Sequence, residues 1–364
     1  MSSFAVKVVR LRVEPHHNAD ALELARVGDY LSVVRKGQFR TGDLAAYIPE
    51  QAIVPDELLE EMGLTGRLAG KFANRVKAIR LRGVLSQGLC YPARPEWPEG
   101  LDVTETLGIV KHEPPVPTSM DGQAWAAGLD RCLRYDIENI KRFPDVLADG
   151  EPVVFTEKIH GTWTQLGLVP EAWAHAEHGR LVVSSKGLAA RGLAFMPNAQ
   201  ENERNLYLRV ARTLDIEARL EAAFSGTLSA DAPVFVLGET FGAGVQDLAY
   251  GANVGHDASL GFRVFDVYVG AVGQGHFLDD TELEAACRAL SLERVPVVYR
   301  GPFSREALAE HTDGREQVSG EGKHIREGVV VRPVHERRHD ELGRVQLKSV
   351  SERYLLRKGG TEYN

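Results

Sequence analysis

Apolar runs of strand length recur along this sequence from its first residues to its last. Polar and glycine-containing turns separate them, whereas residues 50–66, 211–224 and 280–290 have the composition or spacing of helices. The strand-length runs lie at residues 5–13, 30–34, 44–48, 76–81, 153–155, 181–184, 234–237, 263–268 and 328–331. This mixture predicts an α+β protein with antiparallel sheets.

A proline-rich segment, EPPVP at residues 113–117, interrupts this pattern. Prolines at this density favour an extended connector, and 364 residues exceed what one hydrophobic core usually serves. We therefore predict a first domain over residues 1–115, a linker and docking segment over residues 116–150, and a second domain over residues 151–364. Residues 134–144 of the linker mix charged and aromatic side chains, and we expect a docking helix there.

The strand spacing in the first 115 residues fits a small five-stranded barrel. Barrels of the OB type commonly bind single strands and irregular nucleic acid. Two segments, HNADALELARV at residues 17–27 and LSQGL at residues 85–89, resemble pieces of the OB modules that bind tRNA in synthetases and related proteins. The first domain is therefore predicted to be an OB-like barrel that binds nucleic acid.

The charge distribution adds one local signal for nucleic acid. The net charge of −8 does not by itself indicate a nucleic-acid-binding protein, because phosphates are bound by lysine and arginine. Residues 67–82, RLAGKFANRVKAIRLR, nevertheless carry six basic residues and no acidic one, alternating with apolar residues as in a strand. This stretch is either a positive face for nucleic acid or a solvated sheet face without a ligand.

Cysteine usage and hydropathy give expectations about the cellular setting. Cys90, Cys132 and Cys287 are far apart and form no CxxC pair, which argues against a disulfide framework or a cysteine zinc site. No run of about 18 apolar residues is present, and the first residues do not resemble a targeting segment. We expect a cytoplasmic protein with reduced thiols, no membrane partner and no evident obligate protein partner.

Charged residues follow or end the strands of the second domain in a fixed order. The first motif is EKIHG at residues 157–161, a pattern so short that chance supplies it readily. Five further motifs follow it, and the order of the set carries more information than any single residue. They are SSKG at 184–187, VFVLGE at 234–239 with Gly242 and Gly244 after it, FRVFDV at 262–267, REGVVVR at 326–332 and VQLKS at 345–349.

This ordered set resembles the motifs of the covalent nucleotidyltransferases, which are polynucleotide ligases and capping enzymes. EKxHG followed by GExFG is most similar to RNA ligases, and the preceding barrel makes the chain similar to the Deinococcus-type RNA ligase family. DNA ligases of the superfamily typically have KxDG, so His160 favours RNA. The resemblance implies an antiparallel-sheet nucleotidyltransferase domain, an ATP-grasp-like adenylation domain, preceded by the OB-like barrel.

The resemblance also implies roles for the charged residues. Lys158 would attack the α-phosphate of ATP and carry AMP covalently. Lys348 would neutralise charge on the α-phosphate and, as a neighbouring cation, favour the neutral lysine amine that attack requires. Glu327 and Glu239 would bind Mg²⁺ or Mn²⁺, hard ions that prefer oxygen ligands. In the resembling families Glu327 helps to hold the metal and Glu239 lies near the ribose.

The remaining motif positions would contact the nucleotide. By resemblance, Glu157 would accept a hydrogen bond from the adenine amino group, and Phe265 would stack on the adenine ring. Lys186, or alternatively Arg191 in the same loop, would contact a phosphate of the nucleotide or RNA end. His160, together with Gly161, lies beside the nucleotide, where the histidine is either structural support or a direct contact.

The sequence therefore predicts an ATP-dependent RNA ligase that joins RNA 3′-OH and 5′-phosphate ends through lysyl-AMP. The expected partner is RNA ends, held at a nick in an RNA/DNA or RNA/RNA duplex as the resembling family suggests.

Only sixteen residues follow Lys348, so a C-terminal OB domain is not expected and the N-terminal barrel would close over the site. Gln346 and Trp163 depart from related ligases. The alternatives are a catalytically inactive nucleic-acid-binding relative and a capping-type guanylyltransferase.

Overall fold

The computed structural model describes residues 4–242, 244–248, 250 and 260–360, and its first part consists of short strands. In chain order these elements are β1 (Lys7–Arg10), β2 (Arg12–Pro15), β3 (Leu22–Val27), β4 (Tyr30–Arg35), β5 (Leu44–Ile48), β6 (Ala52–Ile53), α1 (Asp56–Glu61), β7 (Ile79–Leu81), β8 (Val84–Ser86), β9 (Leu89–Pro92) and β10 (Val110–Lys111).

These strands pair antiparallel in small sheets that curl around a shared interior. The pairings are β1-β5-β9, β2-β3-β4, β7-β8 and β10-β6. The interior contains Val8, Ile48, Val54 and Trp97, all fully or almost fully buried. Alternate residues of β1 and β5 face this interior, which is why the short apolar runs form strands here rather than helices.

The second part begins with two connecting strands and continues into two larger sheets. Its elements are β11 (Ala124–Ala126), β12 (Glu138–Asn139), β13 (Pro152–Lys158), β14 (Thr162–Leu168), β15 (Leu181–Ser185), α2 (Lys186–Ala189), β16 (Leu193–Phe195), α3 (Leu206–Thr213), α4 (Ile216–Ser229), β17 (Val234–Gly242), β18 (Leu260–Val269), β19 (His276–Phe277), α5 (Asp280–Leu290), β20 (Val297–Pro302), α6 (Arg305–Thr312), β21 (Gly328–Pro333), β22 (Arg338–His339), β23 (Gly343–Arg344), β24 (Leu347–Val350) and α7 (Glu352–Leu355).

The two five-stranded sheets have the orders β12-β24-β21-β13-β20 and β15-β14-β17-β18-β19. Consecutive strands β13 and β14 belong to different sheets, so residues 159–161 cross from one sheet to the other. Helices α3, α4 and α5 pack on one face of the second sheet, where their apolar side chains join those of β14, β17 and β18 in the largest core cluster. This crossing places the EKIHG motif at the junction of the sheets.

Several predicted elements have the expected bounds, and others do not. The strand over residues 44–48 and the helix over residues 280–290 are confirmed. The prediction of one helix over residues 211–224 was wrong. Asp215, with a φ of 47°, separates α3 from α4, because a left-handed backbone cannot continue a right-handed helix.

Three predictions about surface segments were also wrong. The helix expected over residues 50–66 is confined to α1 and ends before Gly63, whose φ is positive. The strand expected over residues 67–82 forms only at β7, and most of this stretch is an irregular loop. The docking helix expected over residues 134–144 is instead β12 and a 3-10 turn, with β12 pairing parallel to β24.

The barrel packs directly against the second part of the chain. The Asp29 amide donates a hydrogen bond to the Lys141 carbonyl (2.8 Å), and a side chain at Gly28 would collide with that same carbonyl. Ion pairs also join the parts, among them Arg305 with Asp29 (2.6 Å) and Arg80 with Glu352 (2.7 Å). These contacts hold the barrel against the second part of the chain, near its C-terminal helix α7.

The described helices are short, the longest being α4 with 14 residues. In the part of the chain that the structure describes, none combines the length and apolar character needed to cross a membrane.

A buried ionic network stabilises the second sheet. Asp266 on β18 is fully buried and bonds to Arg332 (3.0 Å), Arg344 (2.7 Å) and the Tyr135 hydroxyl. Burial opposes ionisation, but the two guanidinium groups hold the pKa of Asp266 below its usual value. Arg332 is only 3% exposed, and its charge is compensated by Asp266 together with Glu336 (3.2 Å) and Asp280 (3.5 Å).

We expect Asp266→Asn to lower the free energy of unfolding by about 3 kcal/mol, because it removes the fully buried carboxylate that Arg332 and Arg344 share and leaves Glu336 and Asp280 to compensate them. Denaturant unfolding measures this change. The exposed Asp145→Asn change is the control and should stay within about 0.5 kcal/mol of wild type. Equal stability of the two variants would contradict the importance of the network.

Candidate active site

The crossing between the sheets positions Lys158. This lysine is the last residue of β13, and its Cα lies opposite Gly328 of β21. Three residues later the Gly161 amide donates a hydrogen bond to Glu239 Oε1 on β17 (3.1 Å). A Cβ at position 161 would stand 2.2 Å from the Thr240 carbonyl oxygen, so only glycine allows this approach. The motif therefore ties the end of one sheet to the edge of the other.

Lys158 forms an ion pair with Glu327. Lys158 Nζ lies 2.7 Å from Glu327 Oε1, and Glu327 is mostly buried just before β21. The second carboxylate oxygen, Oε2, is buried, makes no hydrogen bond within the described residues and lies 3.9 Å from His160 Nδ1. One oxygen thus orients the lysine, while the other is available to a ligand.

A second lysine approaches from the neighbouring strand. Lys348 lies on β24, opposite Val330 of β21. Burial, together with the positive charges of Lys158 and Lys186, lowers the pKa of Lys348 to about 8. The three lysines therefore lie close enough to influence one another electrostatically, although each belongs to a different motif.

Glu239 completes the set of interacting charges. Burial raises the pKa of Glu239 to about 8; the cation of Lys158 opposes this shift and the anion of Glu327 adds to it. Glu239 on β17, Lys158 at the end of β13 and Glu327 just before β21 thus interact electrostatically. The structure brings together residues that lie up to 190 positions apart in the sequence.

Lys186 and Arg191 are the two candidates for the phosphate contact. Lys186 begins α2, is half exposed, and forms an ion pair with Asp136 of the linker (3.0 Å). Its charge affects both Lys348 and Glu239. Arg191 instead donates to the Gly187 carbonyl of its own loop (3.2 Å). Lys186 is therefore the residue of this pair that contributes to the electrostatics of the site.

Glu157 lies one residue before Lys158 and is almost completely buried. Its Oε2 accepts a hydrogen bond from the Gln317 amide (2.7 Å), whereas Oε1 has no partner within the described residues. Burial raises the pKa of Glu157 to about 7, although Arg326 opposes the shift. A buried acceptor without a donor is unfavourable by about 1–3 kcal/mol, so Oε1 is suited to receive a donor from a ligand.

Phe265 occupies a β-bulge. Its neighbours Val264 and Asp266 pair with Gly238 and Leu237, which leaves Phe265 without a partner on β17. The bulge directs its partly buried ring between two apolar clusters, one of them containing Ile159 beside Lys158. The Tyr135 ring lies 5.2 Å away. The aromatic residue predicted for base stacking is therefore held next to the lysine motif.

His160 is engaged by protein groups on both ring nitrogens. Nε2 lies 2.9 Å from Asp247 Oδ1, and Nδ1 lies 2.8 Å from the Tyr354 hydroxyl. Its backbone amide donates to the Tyr250 hydroxyl (2.7 Å). Burial lowers the pKa of His160 and so favours the neutral ring. Of the two roles left open for this residue, these contacts favour structural support.

Sequence patterns did not identify the residues that brace His160. Arg357 binds Asp247 (3.2 Å), and its guanidinium lies over the Tyr354 ring at 3.7 Å. No motif marks Tyr354, Asp247 or Arg357. The available signal was that a buried histidine in EKxHG requires polar partners.

A cleft with a volume of about 880 Å³ lies between the barrel and the second part of the chain. Lys348, Glu327 and Gly161 line one wall, and barrel residues that include Tyr30 and Lys77 line the other. The barrel thus faces Glu327 and Lys348 across this cleft.

The carboxylates fit a divalent cation that also binds phosphate. Within the described residues no three histidine, cysteine or carboxylate side chains are grouped to hold a metal by themselves. Magnesium and manganese sites that act on nucleotides commonly use one or two carboxylates, with phosphates and waters as the other ligands. Glu239 and Glu327 influence each other's charge, and Glu327 Oε2 lacks a protein partner, as such a site requires.

These features define a class of protein: an OB-fold domain joined to an antiparallel α+β nucleotidyltransferase fold. A family model described as RNA ligase matches residues 151–350, and a model described as an OB-fold domain matches residues 5–93. The chain belongs to the RNA ligase family. No curated protein matches it.

Solved structures show the same fold over nearly the whole chain. Naegleria gruberi RNA ligase with pyrophosphate aligns with a TM-score of 0.75 and 22% identity, covering 98% of this chain and 98% of that chain. A mutant of that ligase with AMP and Mn gives 0.75 and 21%, covering 97% and 98%. Another mutant, with ATP and Mn, gives 0.73 and 20%, covering 96% and 97%. At these identities the likeness concerns the fold.

The raised pKa of Glu157 predicts a pH-dependent effect of Glu157→Gln on stability without nucleotide. The folded-state pKa of about 7 exceeds the ordinary value of 4.5, so the folded protein binds a proton at Glu157 more tightly than the unfolded chain does. The contribution of this proton to the free energy of unfolding is fully present below pH 4.5 and is lost as pH rises through 7. The variant should therefore gain up to about 3 kcal/mol relative to wild type between pH 4.5 and 8.

Denaturant unfolding at several pH values measures this gain. The exposed Glu306→Gln change provides the baseline. A stability difference for Glu157→Gln that does not vary with pH would show that burial does not perturb the carboxyl group.

Proposed function

We propose that this protein is an ATP-dependent RNA ligase that adenylates Lys158, transfers AMP to an RNA 5′-phosphate and joins that end to a 3′-OH. The observation that carries the proposal is the Lys158–Glu327 pair (2.7 Å), set among Lys348, Lys186 and Glu239, with Glu327 and Lys348 lining the cleft that the barrel borders. Membership of the RNA ligase family supports the same assignment.

In the first step the Lys158 amine forms a P–N bond to the α-phosphorus of ATP. The α–β P–O bond breaks and pyrophosphate leaves. Glu327 Oε1 already lies at hydrogen-bond distance from Nζ, where it orients the amine and can take its proton. The cation of Lys348 disfavours a second positive charge on Lys158 and stabilises the charge that develops on the α-phosphate.

In the second step the RNA 5′-phosphate attacks the adenylate, and in the third the 3′-OH displaces AMP. The P–N bond to Lys158 breaks in the second step and frees the amine, and AMP leaves in the third step. Each join therefore consumes one ATP and releases one pyrophosphate and one AMP. We assign Lys186, which is half exposed at the start of α2, to the phosphate of the nucleotide or RNA end.

The adenine ring is assigned to the pocket between Phe265 and Glu157. Phe265 offers an aromatic face beside Ile159, and Glu157 Oε1 is a buried acceptor suited to an amino group. Adenine has an exocyclic amino group at the position where guanine has a carbonyl oxygen. The pocket should therefore favour ATP over GTP. We assign Gly161 to the nucleotide-facing turn, with His160 supporting it.

We assign Glu327 and Glu239 to a bound Mg²⁺ or Mn²⁺, which would neutralise phosphate charge and orient the leaving group. The Naegleria gruberi ligase structures that share this fold contain ATP, AMP, pyrophosphate and Mn. Those ligands support the choice of nucleotide and metal for this chain.

The domain division and cellular setting are also proposals. We propose an OB domain over residues 1–115, a docking segment over residues 116–150 and a catalytic domain over residues 151–364. A barrel that precedes the catalytic domain supports the Deinococcus-type group and a nicked RNA-containing duplex as substrate. The three buried, unpaired cysteines are compatible with the reducing cytoplasm.

Incubation with α-labelled ATP and Mn²⁺ should label the wild-type protein covalently, and Lys158→Ala should abolish the label because the nucleophile is absent. Lys348→Ala should reduce the labelling rate about 100-fold or more. Lys36→Ala, an exposed lysine of the barrel, is the matched control and should label normally.

An unlabelled wild type would instead favour a nucleic-acid-binding protein that lacks catalysis. Labelled GTP in the same assay tests the capping-type activity, and we expect little transfer from it. Preferential transfer from GTP would overturn the assignment of Glu157.

Sealing of a nicked duplex tests the substrate. We expect joining when the 3′-OH strand ends in RNA, and much slower joining when it ends in DNA, with lysyl-AMP formation equal in both reactions because it precedes RNA contact. Gel analysis of nicks that differ only in the terminal 2′-OH measures this preference. Equal sealing of both nicks would contradict RNA specificity.

A further inference from the structure

The barrel carries a basic loop, defined here as residues 67–82, that the catalytic steps do not use. It has six lysine or arginine residues and no acidic residue. Arg80 pairs with Glu352, whereas Arg67, Lys71 and Arg82 are exposed and form no ion pair within the described residues. The loop therefore presents net positive charge on a protein whose overall charge is −8.

The base of this loop is fixed. Ala69 and Arg75 exchange two backbone hydrogen bonds (2.9 and 3.0 Å), which close residues 70–74 into a tip. The Val76 amide donates to Ala52 of β6 (2.8 Å), and the Leu68 side chain packs on the barrel core. The tip is thus held in one orientation by the barrel rather than extending as a free strand.

Phe72 projects from this tip. It is 75% exposed, the highest value among the large apolar residues of the described chain, and Lys71 Nζ lies 5.5 Å from its ring. An exposed phenylalanine ring does not gain the favourable free energy that burial of apolar surface provides. An exposed aromatic ring among unpaired cations combines the two features that bind nucleic-acid strands, a stacking face and phosphate-neutralising charge.

The loop is continuous with the cleft. Val76, Lys77 and Ala78 line it together with Lys348 and Gly161. Lys77 is five positions along the chain from Phe72, and such a segment spans at most about 18 Å. At about 3.4 Å per nucleotide of a stacked strand, this span corresponds to about five nucleotides from the cleft wall at Lys77.

We propose that Phe72 stacks on a base of the RNA substrate within about five nucleotides of the part of the strand held at Lys77 in the cleft, while Arg67 and Lys71 contact its phosphates. This inference rests on the proposed ligase function and adds a binding surface to it. RNA is favoured over an anionic lipid surface because the loop leads directly into the cleft that contains Lys348.

The test compares Phe72→Ala, Phe72→Trp and Leu129→Ala for binding to a nicked RNA duplex without ATP. Leu129 is a matched control because it is 68% exposed and lies outside the barrel. Phe72→Ala should raise Kd about five-fold or more, whereas Phe72→Trp and Leu129→Ala should keep wild-type affinity. In the double variant Arg67→Gln, Lys71→Gln, the slope of log Kd against log salt should become shallower by about 1–2.

Covalent labelling by α-labelled ATP should be unchanged in Phe72→Ala, since lysyl-AMP forms without RNA. Failure of the wild type to label would reject the proposed ligase function. Normal labelling combined with equal RNA affinity of wild type and Phe72→Ala would reject this inference alone. Phe72-dependent capture on phosphatidylglycerol vesicles, with RNA affinity unchanged, would likewise overturn it in favour of a lipid surface.

Discussion

The ion pair between Lys158 and Glu327 fixes the geometry on which the rest of the site depends. Its partners end β13 and precede β21, two neighbouring strands, so strand pairing sets the 2.7 Å contact. A buried charge without a partner is unfavourable by several kcal/mol, and the pair offsets this. The positive charge of Lys158 helps to lower the pKa of nearby Lys348 to about 8. The negative charge of Glu327 helps to raise the pKa of Glu239 to about 8. Phosphates and a divalent cation would neutralise this concentrated charge.

Groups from distant parts of the chain hold this geometry in place. The crossing at Gly161 leaves no space for a side chain, and Glu239 accepts its amide hydrogen. Tyr354, which is 194 residues away in sequence, and Asp247 bind the two nitrogens of His160. The barrel forms the opposite wall of the cleft. The site therefore depends on the assembled protein rather than on a single motif.

Sequence patterns predicted the parts of this structure that are encoded locally. The strand over residues 44–48 and the helix over residues 280–290 follow directly from apolar periodicity. The order of the charged motifs singled out the residues that lie around Lys158 in the structure. Periodicity does not encode the left-handed Asp215 that divides two helices, or the backbone pairing that makes residues 67–82 a loop. The partners of His160 were missed because contacts across such separations leave no local pattern.

Peptide mapping by mass spectrometry, after incubation with ATP and Mn²⁺, identifies the residue that becomes adenylated. We expect a single AMP on the peptide that contains Lys158, with fragment ions that place it on that lysine, and none on Lys186 or Lys348. AMP attached to either of those lysines, or no adenylated peptide from protein that binds ATP, would contradict this expectation.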